Sequence, residues 1–485
     1  REKRRFHAEG LMKPIAAFLP ALESGAIQPA SIIDDVPMVM KDGSKGYHLP
    51  QNWNSKYHGL ITARHALNQS YNIPALKLFN ETVGISKAWE FAKQLGITTL
   101  TEEDYYAQTG VIGGLKYGVT VEELTNAYSA IANKGIFNDA FMIRKIEDAK
   151  GNVIYEHQPD GKQVFSEQTA FLMTDMLRTV ITNGTGSSIR STFKYYNQVP
   201  VAGKTGSTQN DRDAWFIGFT PDVTVGVWAG YDQEETLTVR LNLPQGPGTQ
   251  RAKNIWSLIM NAAYELKPEL FSTKEFTMPE GIVRMTVSSV SGKLPSELTR
   301  KSNRLVTDYF NKKYIPTEED QSLIETEYVT YNGLNYFPNP ATPADMVKKG
   351  ILAKRPSPLE DILKQVKAAL NSMSSGRSLS AYYPADIGIT APTEVDPRQD
   401  DGARPNPPTG LELLALANSY KIKFTESSSK DVVGYRLYRS VNGGPFTTNP
   451  SQNVLSGSDP VVFDYVPQNQ LYAYYVVAVD VAGNE

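Results

Sequence analysis

Apolar residues recur at helical spacing from Val121 to Lys134, where Val121, Leu124, Ala127, Tyr128 and Ile131 share one face. They alternate with small or polar residues over Val223-Thr224-Val225-Gly226-Val227-Trp228-Ala229-Gly230-Tyr231, which predicts a strand. Both patterns mix from Leu11 to about Leu266, predicting an α/β (α+β) domain. Between Phe271 and Arg404 the texture changes to short strands at Ile282–Val287 and Thr326–Tyr331, a helix from Pro358 to Asn371, and loop-rich stretches at Ser372–Arg377 and Pro392–Pro408. From Pro407 to Glu485 only strand-like runs remain, separated by turn clusters about every ten residues, the pattern of a β-sandwich. The expected organisation is therefore residues 1–270, a small β-rich accessory region and linker at 271–404, and an all-β module at 405–485.

Composition narrows the functional classes. The 485 residues carry 49 Lys plus Arg against 52 Asp plus Glu, and a formal net charge of −3 lacks the basic excess that a broad nucleic-acid surface needs. No run approaches the roughly 18 apolar residues of a bilayer span. The absence of cysteine removes disulfides, thiolate nucleophiles and cysteine metal sites, and suits an oxidising place outside the cytoplasm. The histidines at 7, 48, 58, 65 and 157 show no helical zinc pairing, so neither a metal nor a cofactor is expected. The opening Arg1-Glu2-Lys3-Arg4-Arg5 has no apolar stretch behind it and reads as a solvated strip at the start of a fragment.

Three short motifs carry the chemistry. Gly10-Leu11-Met12-Lys13-Pro14 precedes a helical face of Ile15, Phe18, Leu19 and Leu22. Pro14 lacks a backbone donor and belongs in a first helical turn, so a helix is expected to begin near Gly10, with Lys13 one turn in. Ser70-Tyr71-Asn72 offers a hydroxyl and an amide two residues apart, after the amphipathic stretch 62–69. Lys204-Thr205-Gly206-Ser207-Thr208 ends a strand that turns through Gln209–Asp213 and returns along Ala214–Phe219, a hairpin expected to present Lys204 and the hydroxyls on an exposed strand edge. Taken alone, each triplet is usually no more than a solvated first turn, a cap or a strand end.

Their order is that of penicillin-binding proteins and class A β-lactamases. Residues 11 to about 266 resemble the transpeptidase domain of class A penicillin-binding proteins, as do the flanking segments Gly113-Gly114, 120–128, 132–135, Gly184-Thr185-Gly186 and 213–221. The resemblance implies a serine penicillin-recognising transpeptidase fold, an antiparallel sheet flanked by helices. The implied function is peptidoglycan D,D-transpeptidation through a serine acyl-enzyme. The implied partners are D-Ala-D-Ala stem peptides, β-lactams and wall-synthesis proteins, with no nucleic acid. Lys13, Ser70, Asn72 and Lys204 would be catalytic, and Thr205, Gly206, Ser207 and Thr208 would bind substrate. Such relatives work on the extracytoplasmic face of a bacterial membrane, and their anchor and glycosyltransferase domain are expected to be absent from this fragment.

One departure matters. The family's first motif is Ser-x-x-Lys, yet Gly10 stands three residues before Lys13. Either glycine has replaced the nucleophile, leaving an inactive scaffold, or a serine that the 485 letters do not show belongs between Gly10 and Leu11. The second reading is preferred, because Gly-Ser-Leu-Met-Lys-Pro restores both glycine and spacing. A β-lactamase-like hydrolase is third, since no obvious glutamate motif for water activation is present. Residues 405–485 resemble a fibronectin type III domain, through 405–411, Val433–Arg439 and Tyr472–Asn484, with Tyr472 as its corner tyrosine and Phe424 in place of a core tryptophan.

Overall fold

A computed structural model describes residues 5–43, 46–208, 213–231 and 248–485. The expected turn at Gln209–Arg212 lies outside them. The chain divides into two compact units, one comprising Arg1–Ser296, Asn303–Asp320 and Leu363–Pro384, the other Glu297–Ser302, Gln321–Ile362 and Ala385–Glu485. The expected accessory region is split by this division, its first hairpin falling in the first unit.

In the first unit the backbone becomes helical at Met12, not at Gly10. Gly10 has φ +81°, a left-handed conformation that closes a turn and cannot propagate a right-handed helix. Helix α1 runs through Pro14–Phe18, wound as a π-helix, into Leu19–Glu23. Pro14 through Leu22 are all buried, so α1 has no solvent face. Its small residues Ala16, Ala17 and Ala21 permit close packing all round, where the periodicity predicts a single apolar stripe.

Short strands β1 (Ile32–Asp35) and β2 (Gly59–Thr62) pair antiparallel, and β2 leads directly into helix α2 (Ala63–Asn68), capped by the Thr62 hydroxyl. Helix α3 (Asn72–Lys77) follows at once. Helices α4 (Val121–Ala132) and α5 (Glu167–Thr182) then pack toward a three-stranded antiparallel sheet of β3 (Ala202–Ser207), β4 (Asp213–Phe219) and β5 (Thr224–Gly230), with β4 central. In β4, Ala214 and Phe216 face one side, Trp215 and Ile217 the other, and all four are buried. That two-sided burial explains why Ala214–Phe219 reads as an almost continuous apolar run. Helix α6 (Thr249–Leu266) covers one face, setting Trp256 edge-on to Phe216 at 5.3 Å and to Phe193 at 5.7 Å.

The hairpin of β6 (Ile282–Ser288) and β7 (Leu305–Asn311) is tied to the helices by one half-buried cation. Arg64 of α2 donates to Asp175 Oδ2 of α5 and to Asp308 Oδ1 of β7, both at 2.6 Å.

The second unit holds a three-stranded sheet of β8 (Leu323–Tyr331), β9 (Leu334–Tyr336) and β10 (Lys348–Ala353), with β8 central. It also holds two further three-stranded antiparallel sheets. One has the order β11 (Thr409–Ala415), β12 (Tyr420–Thr425), β15 (Val461–Asp464); the other β14 (Gln452–Leu455), β13 (Val432–Val441), β16 (Tyr472–Asp480). Their inner faces share one core of Ile422, Phe424, Val432, Tyr435, Leu437, Val462 and Ala478, so the pair is a β-sandwich. The Tyr472 hydroxyl donates back to the Pro467 carbonyl at 2.7 Å.

Replacing Arg64 by leucine leaves the carboxylates of Asp175 and Asp308 largely buried and without this partner. The expected cost is about 3 kcal/mol, read as a fall in the urea midpoint with unchanged slope. A loss below about 0.5 kcal/mol would show that the bridge contributes no more than a surface ion pair.

Candidate active site

The three motifs converge on one hydroxyl. Ser70 lies in the sharp step between α2 and α3, at φ +57°, a region that non-glycine residues seldom occupy and that tends to mark functional turns. Its Oγ accepts from Lys204 Nζ at 2.7 Å and from Lys13 Nζ at 3.3 Å. Lys13 also donates to the Ser70 carbonyl at 2.6 Å and to Asn72 Oδ1 at 2.7 Å, while Lys204 donates to the Thr205 carbonyl at 2.9 Å. Lys13, Ser70, Asn72 and Lys204 thus form a single hydrogen-bonded group drawn from α1, the α2–α3 step and β3.

Both ammonium groups are out of water. Lys13 is 3% exposed and Lys204 fully buried. Burial brings the Lys13 pKa down to about 7, against a partial upward pull from Glu9. Burial, and then the charge of Lys13, holds Lys204 well below the ordinary lysine range. Three acceptors around Lys13 Nζ suit an ammonium with three donors, whereas desolvation favours the neutral amine; the two opposed effects leave the group poised near neutrality.

Lys204 corrects the expectation of an exposed edge. Strand β3 does lie at the sheet edge, but residues 9–11 cover it. A β-carbon at Gly206 would fall on the Glu9 carbonyl oxygen, so the glycine is what admits this close approach. Thr205 and Thr208 are half-buried, Gly206 is buried and Ser207 is exposed. The Thr205 hydroxyl shares a 2.6 Å hydrogen bond with that of Thr185, and Lys253 of α6 donates to the Thr185 carbonyl at 3.1 Å. Thr208 Oγ1 accepts the Asp213 N–H at 2.8 Å and closes the strand end.

Gly10 lies against the same group. A β-carbon built on it would stand 2.9 Å from the Thr205 carbonyl oxygen and 3.4 Å from Ser70 Oγ. The position where a nucleophile would be useful is therefore adjacent. Direct replacement of Gly10 meets two separate obstacles, a backbone collision and a positive φ.

A second layer of residues escaped the motif reading. Asn52 Oδ1 accepts the Asn72 and Ile73 N–H groups at 2.8 and 3.1 Å, and its Nδ2 donates to the buried Asp35 carboxylate at 2.8 Å. Asp35 in turn accepts from the His58 backbone at 2.9 Å and lies 2.7 Å from His58 Nδ1, while the His58 ring stacks on Tyr71 at 3.9 Å. Asn72 Nδ2 donates to the Gln51 carbonyl at 2.8 Å, which fixes Oδ1 toward Lys13. Isolated polar residues in loops and at a strand end carry no periodicity, and only the chain's fold identifies them. The described residues of this site offer amines, amides and hydroxyls, a set for moving protons and binding anions.

Residues 3–241 match the family described as the penicillin binding protein transpeptidase domain, and residues 278–325 match the penicillin-binding protein 1A C-terminal domain. Penicillin-binding protein 1A of Clostridium novyi (strain NT) is 31% identical over 345 residues, covering 68% of this chain and 38% of that protein. Penicillin-binding protein 1F of Bacillus subtilis (strain 168) is 35% identical over 229 residues, 46% of this chain and 30% of that protein. The chain thus spans well under half of these relatives. The crystal structure of penicillin-binding protein 1A from Haemophilus influenzae superposes with a TM-score of 0.53 at 23% identity, covering 65% of this chain and 49% of that one, a likeness of fold.

The burial of Lys13 has a measurable signature. Its pKa is about 7 when folded and near 10.5 when unfolded, so between these values the unfolded chain holds the extra proton and stability contributed by this group rises with pH. Lys13→Met removes that slope. Its stability relative to the parent should fall by about 3 kcal/mol from pH 7 to pH 10 in urea titrations, and a difference independent of pH would contradict the lowered pKa.

Proposed function

We propose that this chain, whose residues 3–241 match the penicillin binding protein transpeptidase domain family, is the D,D-transpeptidase part of a peptidoglycan synthase, with its acyl-bearing serine between Gly10 and Leu11. The observation that carries this reading is the Lys13–Ser70–Lys204 group, with Gly10 so placed that a β-carbon built on it would stand 3.4 Å from Ser70 Oγ.

In this reading the serine Oγ attacks the carbonyl between the two D-alanines of a stem peptide and yields its proton to Lys13, which burial makes basic enough to accept it near neutrality. The Ser70 hydroxyl, held between the two amines, relays a proton to the departing D-alanine amine. Asn72 orients Lys13 or the substrate amide. The N–H groups of the serine and of Ser207 face the developing oxyanion. Thr205 and Ser207 take the terminal carboxylate, and the stem lies along the edge of β3 beside Gly206 and Thr208. Attack on the acyl-enzyme by a second stem's amine forms the cross-link, attack by water trims the stem, and β-lactams leave a slowly released adduct. The two covered strand faces and the tyrosine hydrogen bond at 472 support reading residues 405–485 as a fibronectin type III-like module outside the chemistry.

Gly10 taken at face value favours a second reading, a scaffold of the same fold without acylation. Fluorescent penicillin separates the two. Peptide mapping of the cellular protein should find a seryl residue between Gly10 and Leu11, and the protein should label durably there. The chain with serine inserted after Gly10 should label at that serine, whereas Gly10→Ser should not, because its β-carbon meets the Thr205 carbonyl. A cellular peptide in which Gly10 is joined directly to Leu11, with no labelling, selects the scaffold.

A further inference from the structure

Three aspartates from separate segments meet at one end of the second unit's β-sandwich. Asp431 immediately precedes β13, and Asp480 is the last residue of β16, its register partner being Val432. Asp400 arrives from the loop ahead of β11. One carboxylate oxygen from each lies within 4.8 Å of the others.

Two of these carboxylates are buried. Asp480 is fully buried; its Oδ1 accepts the Ala482 and Asn484 N–H groups at 2.9 and 2.8 Å, and its Oδ2 accepts from Asn484 Nδ2 at 2.9 Å. Asp431 is 5% exposed, and its buried Oδ2 has no hydrogen-bond partner. Asp400 is exposed and accepts the Gly402 N–H at 2.9 Å. The buried guanidinium of Arg398 is committed to Asp396, at 2.7 Å, and to the Val432 carbonyl, at 2.9 Å. A buried carboxylate oxygen without a partner is costly, and close negative neighbours raise the cost further. A cation among the three removes both penalties.

We infer that Asp400, Asp431 and Asp480 bind one Ca2+ ion. All-oxygen donors exclude a soft metal. Calcium accepts six to eight oxygens at about 2.4 Å, so its ligands stand at most about 4.8 Å apart, and the three oxygens here all lie within that limit. Magnesium needs a smaller octahedron and keeps its waters, and three carboxylates brought from three segments suit it less. The remaining positions fall to water and to backbone carbonyls. Bound calcium ties the segment before residue 405 to both the first residue ahead of β13 and the last residue of β16. The inference departs from the expectation of no metal, which rested on histidine and cysteine ligands.

The test uses the full chain freed of divalent ions with a chelator. Calorimetric titration with CaCl2 should give one saturable site with a dissociation constant between about 10 µM and 1 mM, and CaCl2 should raise the melting temperature in step with occupancy. Asp400→Asn, at an exposed position, should weaken binding at least tenfold while leaving the melt in chelator unchanged. Asp431→Asn should abolish binding and, by removing an unpaired charge, should not lower the melt in chelator. Absence of saturable binding up to about 10 mM, equal binding in parent and both variants, or an equal response to MgCl2 would each overturn the site.

Discussion

Two buried amines share one hydroxyl, and the arrangement of the first unit follows from that constraint. Lys13 and Lys204 can be held dry only if polar oxygens surround them, so the Ser70 carbonyl, Asn72 Oδ1 and the Thr205 carbonyl must all be in place. This requires the sharp step at Ser70, the glycine that lets residue 9 approach β3, and a helix α1 wrapped on every side. Pairing instead with carboxylates would stabilise the amines, but would also hold their protons firmly. Neutral acceptors keep Lys13 near the point where it can gain or release one. The instability is thus built into the same geometry that makes the amine useful as a base.

The support behind Asn72 is the mirror of this arrangement. Asn52 links the Asp35 carboxylate to α3: one end of its amide faces the carboxylate and the other receives the N–H groups that open the helix. The carboxylate orders the loop without touching the lysine through any hydrogen bond described above. His58, stacked on Tyr71, braces the middle residue of the same tripeptide.

Much of this grouping was legible in the amino-acid sequence, because chemistry in a fixed chain order survives without knowledge of packing: Lys13, Ser70, Asn72 and Lys204 could be named together. The hairpin was legible from its glycines, its polar turn and the apolar return strand, and its registry sets Lys204 opposite Ile217. What periodicity could not reveal was depth. Lys204 reads as a polar residue on a strand edge, and only the approach of residues 9–11 buries it. Helix α1 reads as amphipathic because its alanines look neutral, although they are fully buried. Asn52 and Asp35 stand in a segment with no repeat and no motif. In the second unit, turn spacing gave the strands, whereas the meeting of Asp400, Asp431 and Asp480 depends on how the ends of two strands and a loop are brought together.

The place where helical backbone begins has a consequence for how chain length can vary here. Each residue added within a helix turns everything beyond it by about 100°, which in α1 would rotate Lys13 away from Ser70 and drive core side chains out of their sockets. The left-handed turn at Gly10 lies upstream of Met12 and is phase-neutral. A residue gained or lost at that junction leaves the angular setting of Lys13, Phe18 and Leu22 untouched. On the reading proposed above, a serine between Gly10 and Leu11 would therefore enter without re-indexing the core.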